Sequence, residues 1–475
     1  MRVAVIGGGI TGLTTGYRLV EEARRGGLGL ELTVLEAAPR AGGHATTMRD
    51  DGFLVEAGPN GFLDRPREPQ AVELAQALGL ENRLIEARPA AKKRFVLLRG
   101  KLRRAPDSPP TLLQSDVLSL PGKLRLMMEP FARPAKNGAE ESVFDFARRR
   151  IGREAAEVLV DAAVAGISAG DSRKLSVEHA FPLMVQMERE HGSLIRAMLA
   201  RRGEAKSRLM SFDGGMATLV DALAARLGAT LRCGARVSSV ARAGGEWRIA
   251  LEAGGMLAAD RVILAVSASR AAAIVRDLDT GLAEALARFP FAGIVMTALA
   301  YRSRDLGPLD GYGYLVARSE GLDTLGVLWE SSVYEGRAPQ GMALLRVMMG
   351  GVRGPAVAER GEGELVGCAR AELEQVMGVR VEPVRNWVRR WPQAIAQYEL
   401  GHGVRVEAAR ARAARHPGLE LCGTSYDGVS FGSAVKSANA TAQRVMAALA
   451  AERGAGVAAP LRTQGAALGA GGGSK

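Results

Sequence analysis

The first residues whose types and spacing carry chemistry are Gly7, Gly8, Gly9, Ile10, Thr11 and Gly12. They form a G-x-G-x-x-G run directly after the β-branched stretch Arg2 to Ile6. Gly7 permits a tight turn, Gly9 lets the backbone approach a pyrophosphate, and Gly12 lets the following helix lie close to the strand. A helix starting there aims unpaired N–H groups and the positive end of its dipole at one point, which favours an anion. A second extended run, Leu30 to Leu35, ends in Glu36, whose carboxylate can accept from both hydroxyls of a ribose. Strand, glycine turn, helix, strand and acid in this order predict a dinucleotide site on a Rossmann-like unit.

Which dinucleotide is decided by the next residues. Glu36, Ala37, Arg40, Gly42 and Gly43 spell E-x-x-x-R-x-G-G, which resembles the FAD-binding proteins of the flavin amine oxidase superfamily. The resemblance implies FAD, with Arg40 and the paired glycines on the second side of the pyrophosphate. Gly58, Pro59, Asn60 and Gly61 stand where that superfamily passes beside the flavin ring, and glycine there permits close backbone approach.

Composition sets the outer bounds. At 475 residues, 47% hydrophobic and 24% charged, the chain is long enough for two or three domains. The net charge of +12 suits anionic lipid, nucleic acid or a carboxylate-bearing substrate. No zinc-finger, RNP or basic-helix pattern favours nucleic acid. Five histidines without ligand spacing argue against a metal, and the absence of a G-x-S-x-G elbow argues against hydrolysis. Cys233, Cys368 and Cys422 form no C-x-x-C, so they are expected to be buried small hydrophobes in a reducing compartment. The opening strand without a leader pattern points away from secretion, and no run of eighteen apolar residues predicts a membrane span.

Stepping along the elements, Pro69 to Leu80 has helical apolar spacing. Between Phe95 and Arg208 the chain turns rich in Pro, Arg, Leu and Met. Short helices with basic flanks suit either a segment dipping into a bilayer interface or a soluble cap over a site, and spacing leaves both open. Ser211 to Leu227 reads as a turn and amphipathic helix. Extended runs follow at Thr230 to Val240, Trp247 to Glu252 and Arg261 to Val266, then at Ile294 to Tyr301, Leu325 to Glu330 and Ala343 to Met349. Leu365 to Val376 has helical spacing. The chain returns through the strand Leu419 to Gly423 and a turn into a helix over Ala434 to Leu449, whose N-terminus would stabilise negative charge on a reduced flavin.

The run from Ala165 to Ser176 (AGISAGDSRKLS) and the later EREHGSL resemble the oxygen-dependent protoporphyrinogen oxidase family, as do KKRF, SFDGGM, LDGYGYLV, SSVYEGRAP and WPQAIAQYELGH. Ser172 departs from the family's proline, and Tyr334 from its common Phe. The resemblance implies an α/β fold. It comprises an FAD-binding, Rossmann-like domain of the two-dinucleotide-binding-domain type from segments 1–94, 211–266 and 387–453. A helical, membrane-binding or substrate-cap insertion spans 95–210, a sheet-based substrate domain spans 267–386, and a disordered tail spans 454–475.

For the site, the resemblance implies non-covalent FAD contacted further by Val237, Trp391, Gly423, Val429, Ser430 and Phe431. It places Arg94 on a substrate propionate, Tyr334 and Leu315 against a pyrrole ring, and the Gly166 carbonyl near the pyrrole N–H groups, with Gly170 in the same motif. The implied substrates are protoporphyrinogen IX and O2, oxidised to protoporphyrin and H2O2. The chain would be cytoplasmic, held peripherally at the cytoplasmic face of the inner membrane, with monomer and homodimer both open. Coproporphyrinogen III oxidation, amine oxidation and a non-catalytic FAD-bearing assembly role are the competing readings.

Overall fold

The structure, a computed structural model, describes residues 1–135, 139–203 and 205–457. The tail expected beyond 454 therefore lies outside the described residues except for 454–457, which prolong the last helix, Phe431–Val457.

Five parallel strands form the first sheet, in the order Leu231–Arg232, Glu31–Leu35, Arg2–Ile6, Arg261–Leu264, Leu419–Leu421. Alternation along Arg2–Ile6 divides the core. Val3 and Val5 face one apolar cluster with Leu13 and Val435, while Ala4 and Ile6 face another with Trp247 and Leu282. Both faces are thus covered, as a parallel sheet requires. Ile10–Arg25 packs between the sheet and the long C-terminal helix, so the two ends of the chain meet at the glycine turn. A three-stranded antiparallel ribbon, Val237–Ala243, Glu246–Leu251 and Met256–Ala259, stands beside it.

A second sheet has seven strands. Its order is Arg385–Ala396, Phe291–Arg302, Met342–Gly350, Thr324–Trp329, Gly313–Val316, Arg94–Leu98, Lys101–Arg104. Sheet membership draws the domain borders differently from the expected segments. Arg94–Leu98 lies parallel to Gly313–Val316 and carries Lys101–Arg104 as the edge, so the substrate sheet begins at 94 instead of 267. Arg385–Ala396 pairs antiparallel with Phe291–Arg302, so it extends this sheet. Lys101–Arg104 and Arg385–Ala396 are Arg-rich and half-exposed, which is why neither has the apolar signature of a strand.

The insertion is helical, with Pro109–Gln114, Leu120–Met127, Val143–Ile151, Asp161–Ser168, Pro182–His191 and Leu194–Ala200 among its elements. A buried ionic knot holds it. The Arg150 Nε donates to Glu129 at 2.7 Å, and Glu129 also accepts from the Leu194 and Ile195 amides. Glu188 pairs with Arg149 at 2.6 Å and Arg150 at 3.2 Å. The EREHGSL run is therefore a clamp inside the insertion. No helix among the described residues is long and apolar enough to cross a membrane.

Candidate active site

The glycine turn shows which of its residues are crowded and which stand clear. Gly7 has φ +114°, and a Cβ at Gly12 would come within 1.8 Å of the Gly7 carbonyl oxygen, so helix and strand touch there. At Gly9 a Cβ would meet nothing within 4 Å. Gly9 is also the N-cap of Ile10–Arg25, with no capping side chain and no acid in the first turn. The orphan amides at Ile10, Thr11 and Gly12 thus face an open cradle at the positive end of the helix. Gly42 and Gly43 form its other wall: the Gly42 amide donates to the Gly8 carbonyl, and a Cβ at Gly43 would lie 3.3 Å from Gly9 Cα.

Glu36 is fixed at the strand end by accepting from the Gly8 and Ala38 amides, both at 2.7 Å. Gly234 and Ala235 donate to the carbonyls of Ala38 and Glu36, which brings the start of Val237–Ala243 alongside. Ala37 and Arg40 are exposed, and the nearest carboxylate to Arg40 is Asp221 at 3.9 Å, leaving the guanidinium free to turn inward. Gly423, at φ +119°, sits against the Thr11 side chain, so the returning strand closes on the same cradle. Val429 and Ser430 are exposed at the entrance to the last helix, where the Ser430 hydroxyl caps Ser433, and Phe431 stacks on Phe62. A phosphate-bearing dinucleotide fits this donor set.

Gly58 packs so tightly on the His44 carbonyl that a Cβ would lie 2.1 Å from it. Trp391 donates to the Ala57 carbonyl and meets His44 edge-on at 4.7 Å. Further along the same run, the Tyr398 hydroxyl donates to the Thr424 carbonyl and accepts from the Gly428 amide. Tyr398 also stacks on His402, whose pKa burial lowers to about 3. The WPQAIAQYELGH run thus shapes the loop that leads into the last helix.

On the substrate-sheet side, Arg94 is exposed, has no carboxylate partner among the described residues, and lies over the Tyr312 ring at 5.5 Å. Leu315 touches Gly166, where a Cβ would clash at 2.2 Å, and Gly170 is packed against Gln397. Tyr334 packs in one cluster with Tyr312. It is 0% exposed, beneath Ala91 and Val333, with its hydroxyl on the Met210 carbonyl. The short helix Glu330–Val333 turns the chain inward after Trp329, so the Tyr334 ring, expected against the substrate, is buried beside Tyr312 and Gly61. The aromatic beside Arg94 is Tyr312, half-buried in the same G-Y-G-Y-L run that supplied Leu315.

Two other expectations change. Cys233 is exposed and Cys368 half-buried, so only Cys422 is a buried hydrophobe. Cys368 lies with Asp323 and Glu372, and burial followed by their charges pushes its thiol up to about 11. Asp323 is already paired with Arg360, and Glu372 accepts two backbone amides. Ser172, in place of the family's proline, is fully buried and donates to Asp161 at 2.6 Å, so the local turn is held by a hydrogen bond.

The profile of the flavin containing amine oxidoreductase family matches residues 10–446. The chain belongs to that family. As a flavin-containing amine oxidoreductase it is an FAD-dependent oxidoreductase, and its relatives include porphyrinogen oxidases. It is 33% identical to protoporphyrinogen oxidase 1, chloroplastic, of Spinacia oleracea, over 93% of this chain and 83% of that one. It is 29% identical to coproporphyrinogen III oxidase of Bacillus subtilis (strain 168), over 90% of this chain and 94% of the relative. A crystal structure of a provisionally assigned protoporphyrinogen oxidase from Exiguobacterium sp. 255-15 superposes with a TM-score of 0.82 at 25% identity. That match covers 94% of this chain and 99% of the other.

Proposed function

We propose that this flavin-containing amine oxidoreductase oxidises protoporphyrinogen IX to protoporphyrin IX, with O2 reduced to H2O2. The observation that carries the reading is Arg94, a cation without an ionic partner among the described residues. It stands over Tyr312, on a strand paired with the one that carries Leu315 against Gly166. A macrocycle with an apolar body and carboxylate arms calls for that combination.

FAD bound there would supply a hydride acceptor for a meso C–H, with one proton lost from the macrocycle alongside in each of three rounds and each electron pair with two protons passing on to O2 as H2O2. The residues of the chain do the rest. Gly9, the first-turn amides, Gly42, Gly43 and Arg40 hold the pyrophosphate, and Glu36 the ribose. Arg94 binds a propionate and sets the register of the ring. Tyr312 and Leu315 wall the ring and keep it dry, and the Gly166 carbonyl stands ready to accept from a pyrrole N–H.

The exposed Leu113, Leu120, Leu124, Met127, Met128 and Phe131 suit peripheral contact with a membrane on its cytoplasmic face, with basic flanks on anionic head groups. Anaerobic mixing with protoporphyrinogen and, separately, coproporphyrinogen tests the substrate. Faster flavin bleaching by protoporphyrinogen supports the reading. Faster bleaching by coproporphyrinogen transfers it to the four-propionate substrate, and bleaching by neither rejects both.

A further inference from the structure

Two buried ion pairs lie where the Phe53–Glu56 strand and the Gly58–Gly61 segment meet the seven-stranded sheet. Arg346, in the middle of Met342–Gly350, pairs with Glu330 at 2.8 Å, with both side chains almost fully buried. Arg337 and Glu56 face each other at 3.8 Å beside them. Burying such a pair forfeits hydration that mutual attraction only partly restores, and apolar residues of similar volume often stabilise equally well. What an apolar pair cannot do is hold neighbouring polar atoms in place. Arg346 does so: its Nη1 donates to the carbonyls of Glu56 at 2.9 Å and Gly58 at 2.6 Å. Glu330 does so too, with its second oxygen 3.5 Å from the Asn60 amide nitrogen. That amide lies near the Tyr312 hydroxyl. The Asn60 carbonyl in turn accepts from Ser211 at 2.8 Å, so the segment is fixed from both sides.

We propose that Arg346 and Glu330 are positioning residues: one buried pair sets the Gly58–Gly61 segment beside the flavin and, through Asn60, the Tyr312 ring beside the substrate. The line Gly58, Arg346, Glu330, Asn60, Tyr312 joins the cofactor side of the site to the substrate side. Neither charged residue touches the cradle or the Arg94 rim. Their effect is to hold the gap across which a hydride must pass, and such a gap tolerates little misplacement. The substrate half of this inference rests on the porphyrinogen reading above; the flavin half does not.

The test uses the full-length holoenzyme with R346K, E330Q and R346M. R346K keeps a cation for Glu330 but cannot reach both carbonyls, and E330Q keeps shape while removing the charge. The readouts are FAD content, thermal midpoint, the visible circular dichroism of bound flavin, KM, and the anaerobic rate of flavin reduction by saturating protoporphyrinogen. R346K and E330Q are expected to fold and hold FAD, E330Q with a lowered melting temperature because Arg346 loses its counter-ion, and both to show an altered flavin dichroism. Their flavin reduction is expected to slow by about tenfold to a hundredfold, with KM within about threefold. Should R346M fail to fold, R346K and E330Q decide. Wild-type reduction rates with unchanged dichroism overturn the proposal, as does a rate loss matched by loss of folded protein. If wild-type enzyme reacts with neither porphyrinogen, the substrate reading fails, and the flavin dichroism of the variants alone decides the positioning role.

Discussion

At the scale of single residues, Arg94 and the two tyrosines make opposed predictions. A hydrogen bond from Arg94 to a carboxylate contributes about 1.5–3 kcal/mol, so Arg94→Ala should lower kcat/KM by roughly tenfold to a hundredfold, mainly through KM. Steady-state kinetics at low porphyrinogen concentration check this, and wild-type kcat/KM would move the anchor to Lys92. Tyr334 is fully buried, and Tyr312 is the half-buried ring under Arg94. Tyr334→Ala should cost about 3–5 kcal/mol of stability, as for other buried aromatics, while Tyr312→Ala should cost activity at a nearly unchanged melting temperature. A thermal melt beside a rate assay separates the two outcomes, and the reverse pattern would restore Tyr334 to the site. Both tyrosines sit in motif-like runs, G-Y-G-Y-L and S-S-V-Y, and letters alone do not say which ring faces outward. Orientation is set by the inward turn at Glu330–Val333, a tertiary fact. Arg346 was equally illegible: the run Ala343 to Met349 reads as a strand, but nothing in it says that its arginine is buried or paired, and its partner Glu330 is sixteen residues away in sequence.

At the scale of elements, the nucleotide-binding strand, turn and helix were legible because each step has a local physical cause. Arg2–Ile6 is where the β-branched run placed it, and the glycines that crowd or clear the backbone are those the spacing named. The edge strands were not legible, since Lys101–Arg104 and most of Arg385–Ala396 are strands only through their partners. The insertion's exposed face carries its own prediction. Leu120 and Phe131 are each 79% exposed, and apolar area on that scale is normally covered. Flotation with anionic vesicles should carry the protein upward, and neutralising Lys123, Arg125 and Arg133 should weaken it by about 1 kcal/mol per well-placed charge. Protein remaining at the bottom of the gradient would favour the soluble-cap reading.

Helix-to-helix contacts give a pH prediction. Asp279, the N-cap of Thr280–Ala287, is held well below its ordinary value of 3.8 by hydrogen bonds from Arg412 first and His416 next. A carboxyl whose folded pKa is depressed stabilises the fold above its unfolded value, and that stability is lost as pH falls through the folded value. Wild-type melting temperature should therefore drop below about pH 4, and Asp279→Asn should melt lower at pH 7 with a flatter acid limb. Identical acid limbs would show that the pair contributes nothing.

At the scale of the whole molecule, the cofactor cradle is assembled from three distant parts of the chain. Gly7 to Gly12 with Glu36 to Gly43 come first, the turn into Val237–Ala243 second, and Gly423 with the last helix third. A ligand that touches all three binds the folded state alone, so FAD should add about 2.7 kcal/mol at a hundred times its Kd, and more at higher excess. Acid or heat should release FAD as a yellow supernatant, because no cysteine is placed to hold it: Cys422 is buried against Thr15 and Ser437, and Cys233 lies near Glu36 at the ribose end. Glu36→Ala removes the ribose carboxylate, a charge-assisted contact of about 1.5–3 kcal/mol, so FAD affinity should fall by roughly tenfold to a hundredfold. The purified variant should be pale, melt lower than wild type, and recover its melting temperature as FAD is titrated in. Its kcat at saturating FAD should stay near wild type, since Glu36 is at the ribose end of the cradle and Arg94 is on the other sheet. A variant that remains fully yellow through purification and melts like wild type would place the ribose elsewhere, and the assignment of the glycine turn to the pyrophosphate would have to be made again.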